Sequence, residues 1–135
     1  MLNKRFIIAA IVMIIFVQIY EFAIHAGALS GLYGSLASVW RPEEDMQSFM
    51  PWMILGQVLF AIMFCVLYTC SKCRDTVSQG VIFGLIVGIL FSSASLVFYA
   101  VLPITFNLMI MWVITGIIEC VLMGLILSFL LKESS

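Results

Sequence analysis

Charged residues are scarce in this chain of 135 residues. Only 10% of the residues are Asp, Glu, Lys or Arg, and 64% are hydrophobic, whereas an ordinary soluble domain has about a quarter charged and about half apolar residues. Such a chain cannot cover its surface with polar groups in water. Six Lys and Arg residues against seven Asp and Glu residues also leave no basic surface for nucleic acid.

Motifs of catalysis and cofactor binding are also missing. The chain has no G-x-S-x-G, no phosphate-binding glycine loop, no His-rich zinc motif and no histidine pair for haem. Its longest polar stretch covers only residues 27–49. We therefore expect no enzyme activity, no cofactor and no separate soluble domain.

Four long apolar runs make up most of the chain, at residues 6–26, 50–70, 80–102 and 104–131. Each has about 20 residues or more, which at a rise of 1.5 Å per residue crosses a hydrocarbon core of about 30 Å. The first run is too long for a signal peptide and has no small-residue cleavage site. The sequence predicts an all-α protein in the lipid bilayer, a single four-helix transmembrane bundle over residues 1–135, with a short interfacial segment between helices 1 and 2.

The positive charges predict the orientation of this bundle. Five of the six cationic residues fall on one side of a four-span topology, while Arg41 stands alone on the other. Positive residues favour the cytoplasmic side, so we expect both termini in the cytoplasm, in a bacterial inner membrane. The five are Lys4, Arg5, Lys72, Arg74 and Lys132.

Prolines mark the connections between the spans. Pro42, followed by Glu43, Glu44 and Asp45, has the pattern of a helix start, because acids are favourable near the positive end of the helix dipole. A second start is predicted at Pro51. The turn around residues 102–104 is very short, so helices 3 and 4 must be antiparallel neighbours.

Small residues recur every four positions in the last two helices. This spacing lets helix backbones approach closely in lipid, either for packing of helix 3 on helix 4 within the chain or for a homodimer. Helix 3 carries Gly80, Gly84, Gly88 and Ser92, and helix 4 carries Gly116, Cys120, Gly124 and Ser128.

Ionisable side chains inside the spans are few: Glu21, His25 and Glu119, apart from cysteines and tyrosines. An acid near the centre of a membrane helix costs about 2.5 kcal/mol or more on insertion scales, so it rarely faces lipid. Gln18, Glu21 and His25 form one stripe on helix 1. Counted from the cytoplasmic ends, Glu21, Gln57, Ser92 and Glu119 lie at about 18–22 Å depth, so every helix contributes to one predicted polar layer.

Two interpretations of this layer remain open. Titratable groups in the membrane suit proton-coupled binding of a cation or small solute, with His25 as an outer gate or relay; alternatively, the layer is hydrogen-bonded and only fixes helix register. Trp112, Thr115 and Glu119 share a face that suits either a pocket for an apolar or aromatic cation or simple packing. Five further tyrosines and tryptophans are interpreted as interfacial anchors or packing residues: Tyr20, Tyr33, Trp40, Trp52 and Tyr99.

Metal and redox chemistry have weaker support in the sequence. Glu21, His25 and Glu119 could supply metal ligands, but a single histidine is thin support for a site. Cys70 and Cys73 form a C-x-x-C, with Cys65 and Cys120 elsewhere in the spans. These thiols are predicted to face the reducing cytoplasm, where structural disulfides are not maintained, so small apolar cysteines are the simpler interpretation.

A membrane glutamate, Glu21, in helix 1 of a small four-helix protein with glycine-rich later helices resembles the small multidrug resistance transporters. The resemblance covers the topology and this one residue, and it implies transport of a solute. The chain departs from that pattern in its long loop between helices 1 and 2 and in its second membrane acid, Glu119. We therefore carry two hypotheses: binding or transport of a small cationic or protonatable solute, and an accessory or assembly subunit of a larger membrane complex.

Overall fold

The computed structural model describes residues 3–72 and 75–131. Its helices are α1 (Lys4–Glu21), a π-helix (Phe22–Ala28) that continues α1 directly, the short α2 (Ser30–Gly34), α3 (Glu43–Cys70), α4 (Val77–Val101) and α5 (Phe106–Leu130). Four of these units are long and apolar enough to cross a membrane: Lys4–Ala28, Glu43–Cys70, Val77–Val101 and Phe106–Leu130. The prediction of an all-helical chain with four such helices is confirmed.

Side-chain caps fix where three of these helices begin. The Asn3 side chain accepts a hydrogen bond from the Phe6 amide, and Thr105 caps α5 in the same way. Thr76 and Gln79 form a complete capping box at the start of α4. Because the first amides of a helix have no partner within the helix, such caps replace the missing acceptors.

The helix start at Pro42 is observed, whereas a separate start at Pro51 is not. α3 begins at Glu43, directly after Pro42, with three acids in its first turn, and it continues through Pro51 to Cys70. Proline in a helix removes one backbone hydrogen bond, but neighbouring bonds continue on both sides. α3 therefore starts seven residues before Met50, where the apolar run begins, and carries its acids as part of one long helix.

The helices have two distinct ends. Residues 3–5, 71–72, 75–76 and 131 lie at what we call the terminal end, and the segment 29–42 and the turn 102–105 lie at the loop end. Near the terminal end, all four long helices contribute to one apolar core that includes Met13, Phe64, Tyr68, Met123 and Leu127. At the loop end, the segment after the π-helix packs on the first half of α5 through Leu29, Ile104, Leu108 and Met109.

α4 and α5 make the closest helix contact in the molecule. A methyl group added at Gly84 would meet backbone atoms of Cys120 and Val121, and one added at Gly124 would meet the Gly80 carbonyl. Gly80 and Gly84 are buried, and so is Gly124. The glycines thus let the two backbones touch, as small-xxx-small patterns do in membranes.

At the remaining two glycines of the pattern, an added methyl group would make less severe clashes. A Cβ at Gly88 would lie 3.0 Å from Ile117 Cα, while one at Gly116 would meet mainly the Ser92 hydroxyl at 2.9 Å. All five glycines therefore face contacts within this chain. A homodimer would have to use another surface.

α3 behaves differently in its two halves. From Gln57 to Cys70 it packs against α1. Its aromatic rings also contact α4: the ring centroids of Phe60 and Phe91 lie 4.7 Å apart, and Phe64 contacts Phe83. By contrast, every residue of 41–56 is exposed. The loop-end half of α3 therefore stands away from the rest of the chain.

Candidate functional site

The change from α-helix to π-helix directly after Glu21 positions the first acid and the histidine. A π-helix is wound more loosely, with i→i+5 hydrogen bonds, and is frequent at functional sites; the Leu29 amide donates to the Ile24 carbonyl in this way. Glu21 and His25, four residues apart, lie on the same side of the chain here, as they also would in an α-helix. His25 Nε2 lies 3.4 Å from Glu21 Oε2, and Gln57 of α3 donates to that same oxygen at 3.4 Å.

The second acid, Glu119, is almost completely enclosed by α5 and its neighbours. It is 2% exposed, and its carboxyl lies close enough to that of Glu21 for the two to interact. Its Oε1 has no hydrogen-bond partner within the described residues. A buried acceptor without a partner is costly, so this oxygen is positioned for a proton or for a donor that the described residues do not supply.

The α5 backbone beside Glu119 is held by two further hydrogen bonds. Tyr20 Oη donates to the Thr115 carbonyl at 2.8 Å, which ties α1 to α5 one residue before Glu21. Thr115 Oγ1 donates to the Met111 carbonyl at 2.7 Å, so its hydroxyl proton is used within the helix. The Thr115 hydroxyl therefore contributes an acceptor, and not a donor, to its surroundings.

Both acids and His25 line a pocket of about 380 Å³. This volume falls in the range of small-molecule sites, about 300–1,000 Å³. The other lining residues come from α4, α5 and the end of the segment 29–42, and most are aromatic or apolar: Trp40, Phe91, Ser95, Phe98, Leu102, Trp112, Thr115 and Gly116. Because α4 and α5 are antiparallel, Glu119 and Phe91 lie at the deep end, and Trp40 and Leu102 at the loop end.

An aromatic cluster closes the loop end of the pocket, with Tyr33 at its centre. Trp112 Nε1 donates to Tyr33 Oη at 2.6 Å, and Tyr33 Oη lies 2.5 Å from His25 Nδ1. The Tyr33 ring also packs against the rings of Trp40 and Trp112, which contact each other. We call this cluster of His25, Tyr33, Trp40 and Trp112 the roof.

One arrangement of protons satisfies all the hydrogen bonds that Tyr33 and His25 make in the roof. Trp112 Nε1–H can only donate, so it uses a lone pair of Tyr33 Oη. The Tyr33 hydroxyl then donates to His25 Nδ1, which leaves the imidazole proton on Nε2, facing Glu21. With Glu21 ionised, this arrangement gives every donor an acceptor.

The environment of Tyr33 keeps its hydroxyl protonated. Burial raises the pKa of Tyr33 to about 12, opposed in part by the hydrogen bond from Trp112 and helped by the charge of Glu21. Desolvation disfavours the phenolate. The Tyr33 hydroxyl therefore remains a donor to His25 throughout the physiological pH range.

The three uncharged residues of the predicted polar layer have separate positions. Gln57 contacts Glu21, as described. Ser92 is buried but donates to the Val113 carbonyl at 3.3 Å, so it joins α4 to α5 outside the pocket. Gln18 has an amide nitrogen, Nε2, without a partner within the described residues, and it is not among the lining residues.

Metal-ligating side chains do not form a cluster in the part of the chain described, where no group of three His, Cys, Asp or Glu residues is placed to hold an ion. Among the described residues, the Glu21–His25 pair therefore has no third ligand of these types. Cys65 and Cys120 are buried and Cys70 is exposed; Cys73, the other half of the C-x-x-C, lies outside the described residues.

Several pocket residues were not singled out from the sequence. Tyr33 and Trp40, interpreted there as anchors or packing residues, form the roof. Phe91, Phe98 and Leu102 were not recognised, although with Ser95 they form a stripe at i, i+4, i+7 and i+11 along α4 and its C-cap, Leu102. That spacing marks one helix face, but only the fold shows which face lines a pocket.

Comparison with protein-family models, curated proteins and solved structures gives no match. The function must therefore be argued from the chemistry of the pocket.

Proposed function

We propose that this protein binds a small organic cation, or a solute that becomes cationic on protonation, in the pocket between its helices, and moves it across the membrane. The observation that carries the proposal is the pairing of two acids at the deep end of a pocket with aromatic walls. Glu119 would hold the positive group and Glu21 would share its charge. His25 would relay protons between Glu21 and the roof.

The choice of a cation follows from the polar groups available. The pocket has two carboxyl groups, no lysine or arginine in its lining, and rings from Trp40, Phe91, Phe98 and Trp112. Ring faces attract cations, most strongly those of tryptophan. An anion would be repelled by both acids, and a neutral solute could give the partnerless Glu119 oxygen a hydrogen bond but no ionic attraction.

Proton coupling follows from the same groups. A cation bound between Glu21 and Glu119 competes with any proton that the two carboxyls share, so binding of one releases the other. The short chain of contacts from Glu21 through His25 to Tyr33 gives that proton a route toward the loop end. We include in the proposal that both termini face the cytoplasm and that the membrane is a bacterial inner membrane, on the strength of the charge bias.

Benzyltrimethylammonium and its uncharged isostere neopentylbenzene make a matched pair of probes for this site. Binding is followed by tryptophan fluorescence of the purified protein in detergent, since Trp40 and Trp112 line the pocket. We expect the cation to bind and the isostere to bind at least about tenfold more weakly, because only the cation is attracted by Glu119 and by the ring faces, and a desolvated cation–π contact alone contributes about 2 kcal/mol or more.

Glu119→Gln tests the role of the deep acid with little change in shape. It removes the ionic attraction between Glu119 and the cation and should weaken cation binding by about tenfold or more, a loss of about 1.4 kcal/mol. Binding to the unmodified protein should weaken as the pH is lowered. Glu43→Gln is the matched control, since it removes the same charge from the exposed first turn of α3. Equal affinities for the cation and its isostere, unaffected by Glu119→Gln, would refute the proposal.

An accessory or assembly subunit of a larger membrane complex is the second candidate. One observation favours it: residues 43–56 of α3 are exposed on every side, although many are large and apolar, such as Phe49, Trp52 and Leu55. A partner helix would find its contact surface there, and the glycines of α4 and α5, used within the chain, would not contribute. Copurification of a stoichiometric partner that is lost on substitution of this half-helix would favour this function.

A further inference from the structure

The wall of the pocket on the α3 side is incomplete. α3 contributes none of the lining residues. It closes the bundle only at the deep end, where Gln57 contacts Glu21 and Phe60 contacts Phe91. From Gly56 toward the loop end α3 is exposed throughout, so among the described residues no helix closes the side of the pocket between the π-helix and α4.

The α4 side of this gap is formed by residues that belong to both the pocket and the outer surface. Phe91 and Phe98 line the pocket, yet they are 51% and 48% exposed. Leu102, at the loop end of the same stripe, is also exposed. The border of the pocket is thus apolar on this side, and it lies within a helix long and apolar enough to cross the bilayer.

The loop end, in contrast, is covered. The roof is held by two short hydrogen bonds on Tyr33, and Leu29, which begins the segment that carries Tyr33, is 1% exposed against the first half of α5. Water and hydrophilic solutes therefore meet hydrogen-bonded aromatic rings at the loop end. Acyl chains meet an apolar opening at the side.

We infer that the pocket takes its ligand sideways from the bilayer, and that the ligand is an amphipathic organic cation already dissolved in the membrane. Its apolar body enters past Phe91 and Phe98, and its positive group reaches Glu119. This inference rests on the proposed function for the identity of the cation, but the side opening is a property of the fold alone. The two parts can therefore be tested separately.

Tryptophan quenching by lipids tests the opening without any ligand. A variant with Trp112 as its only tryptophan (Trp40→Phe, Trp52→Phe) is reconstituted in phosphatidylcholine with brominated acyl chains, which quench tryptophan on contact. We expect Trp112 to lose a fraction of its fluorescence that approaches the loss for a Trp52-only variant, since Trp52 is 69% exposed on α3. Iodide, a quencher confined to water, should leave Trp112 largely unaffected.

Addition of benzyldimethylhexylammonium then tests the ligand. This probe keeps a benzylammonium group and adds a hexyl chain for partition into the bilayer. It should displace acyl chains and restore Trp112 fluorescence toward its value in non-brominated lipid, while Trp52 remains quenched. With Glu119→Gln in the same background, the restoration should be lost and the initial quenching retained.

The outcomes separate the two ideas. Quenching of Trp112 by iodide and not by brominated lipid would overturn side entry, even if the cation still binds. Quenching by brominated lipid without restoration by the cation would leave the opening intact and count against the proposed function, and with it the cationic ligand. A further outcome would also overturn the inference: brominated lipid does not quench Trp112, and the chain cross-links to a second copy through α3. In that case the second copy would close the gap.

A measurement on the unsubstituted protein guards against loss of folding in the single-tryptophan variants. A phospholipid with a photoreactive group on its acyl chain is cross-linked to the wild-type chain in liposomes, and the labelled positions are read by mass spectrometry. Labels on Ser95, Thr115 or Gly116, which line the pocket, support side entry. Labels confined to outward-facing residues such as Leu90 and Val97 contradict it.

Discussion

Gly84→Ala is the smallest change that probes the contact between α4 and α5. The new methyl group would lie 2.8 Å from Val121 Cα and 2.9 Å from the Cys120 carbonyl carbon, and closer still to the Cys120 carbonyl oxygen. Carbon atoms pack best at about 3.5–4.0 Å, so the helices must separate by about 0.7–1.2 Å at this point. Backbone atoms of a helix cannot rotate away as a side chain does, so the strain is transmitted to the whole interface.

The energetic cost can be bounded from this geometry. Overpacking of a well-packed core costs about 1–3 kcal/mol, occasionally more, and a gap of 0.5–1 Å forfeits about a quarter to a half of each dispersion contact. Because α4 and α5 share the longest contact in the molecule, we expect about 3 kcal/mol. For a chain of 135 residues with an unfolding entropy of about 2.1 cal/mol/K per residue, this corresponds to a fall in Tm of about 10 °C.

The buried thiols report this unfolding directly. Cys65 and Cys120 are buried and become accessible to a thiol-reactive fluorophore when the bundle opens. A thermal ramp of the purified protein in detergent with such a fluorophore gives Tm, with Cys70→Ser and Cys73→Ser in all samples to remove other reactive positions.

Gly56→Ala is the matched control, because nothing lies within 4 Å of a methyl group at that position. It should leave Tm unchanged or raise it slightly, since alanine favours helix over glycine. Gly116→Ala should fall between the two, because it meets mainly the Ser92 hydroxyl. If Gly84→Ala and Gly56→Ala melt at the same temperature, the glycine stripe is not what holds α4 and α5 together.

Three further outcomes follow from the roof and the thiols. Tyr33→Phe removes the acceptor of the Trp112 N–H and should destabilise the protein by about 1–3 kcal/mol. Tyr99→Phe changes an exposed ring and should have the Tm of the wild type. Equal losses of stability in the two variants would contradict the hydrogen bonds assigned to the roof. The pKa of Tyr33 is raised to about 12 from 10.0, so the contribution of Tyr33 to stability is complete below pH 10 and is lost as the pH rises toward 12. The difference between the ultraviolet titrations of wild type and Tyr33→Phe should therefore show ionisation near pH 12. A midpoint near pH 10 would show that Tyr33 is not buried. In the folded protein in detergent, maleimide should modify Cys70 and leave Cys120 unmodified. Mass spectrometry of the labelled peptides measures both. Rapid labelling of Cys120 would mean that α5 is not packed against its neighbours.

Local patterns in the sequence were sufficient for the number and type of the helices. Apolar runs of span length, the Pro42 start with its following acids, and the turn at 102–104 all depend on neighbouring residues, and each is found in the structure. The predicted helix start at Pro51 was wrong, because proline is tolerated within an apolar helix whose other backbone hydrogen bonds continue. The rule that proline marks a helix start considers only neighbouring residues, so it does not account for a helix that continues on both sides.

The candidate site was only partly accessible in this way. Glu21, His25 and Glu119 stood out because charge inside an apolar run is expensive wherever the run packs. Trp40, Phe91 and Phe98 carry no such signal, since an aromatic residue suits lipid, packing and a pocket equally well. The depth count grouped Ser92 with the acids, but the rotation of α4 turns it toward the α5 backbone, and depth alone contains no information about rotation.

The sequence by itself determined that this chain has four helices able to span a membrane, because hydrophobicity over 20 residues is a sum over near neighbours. Tertiary structure decided which faces meet: the glycines of α4 against α5, Gln57 of α3 against Glu21, and the departure of α3 that leaves one side of the pocket open. These depend on contacts between residues far apart in the chain, such as Tyr33 and Trp112, whose meeting no local pattern specifies.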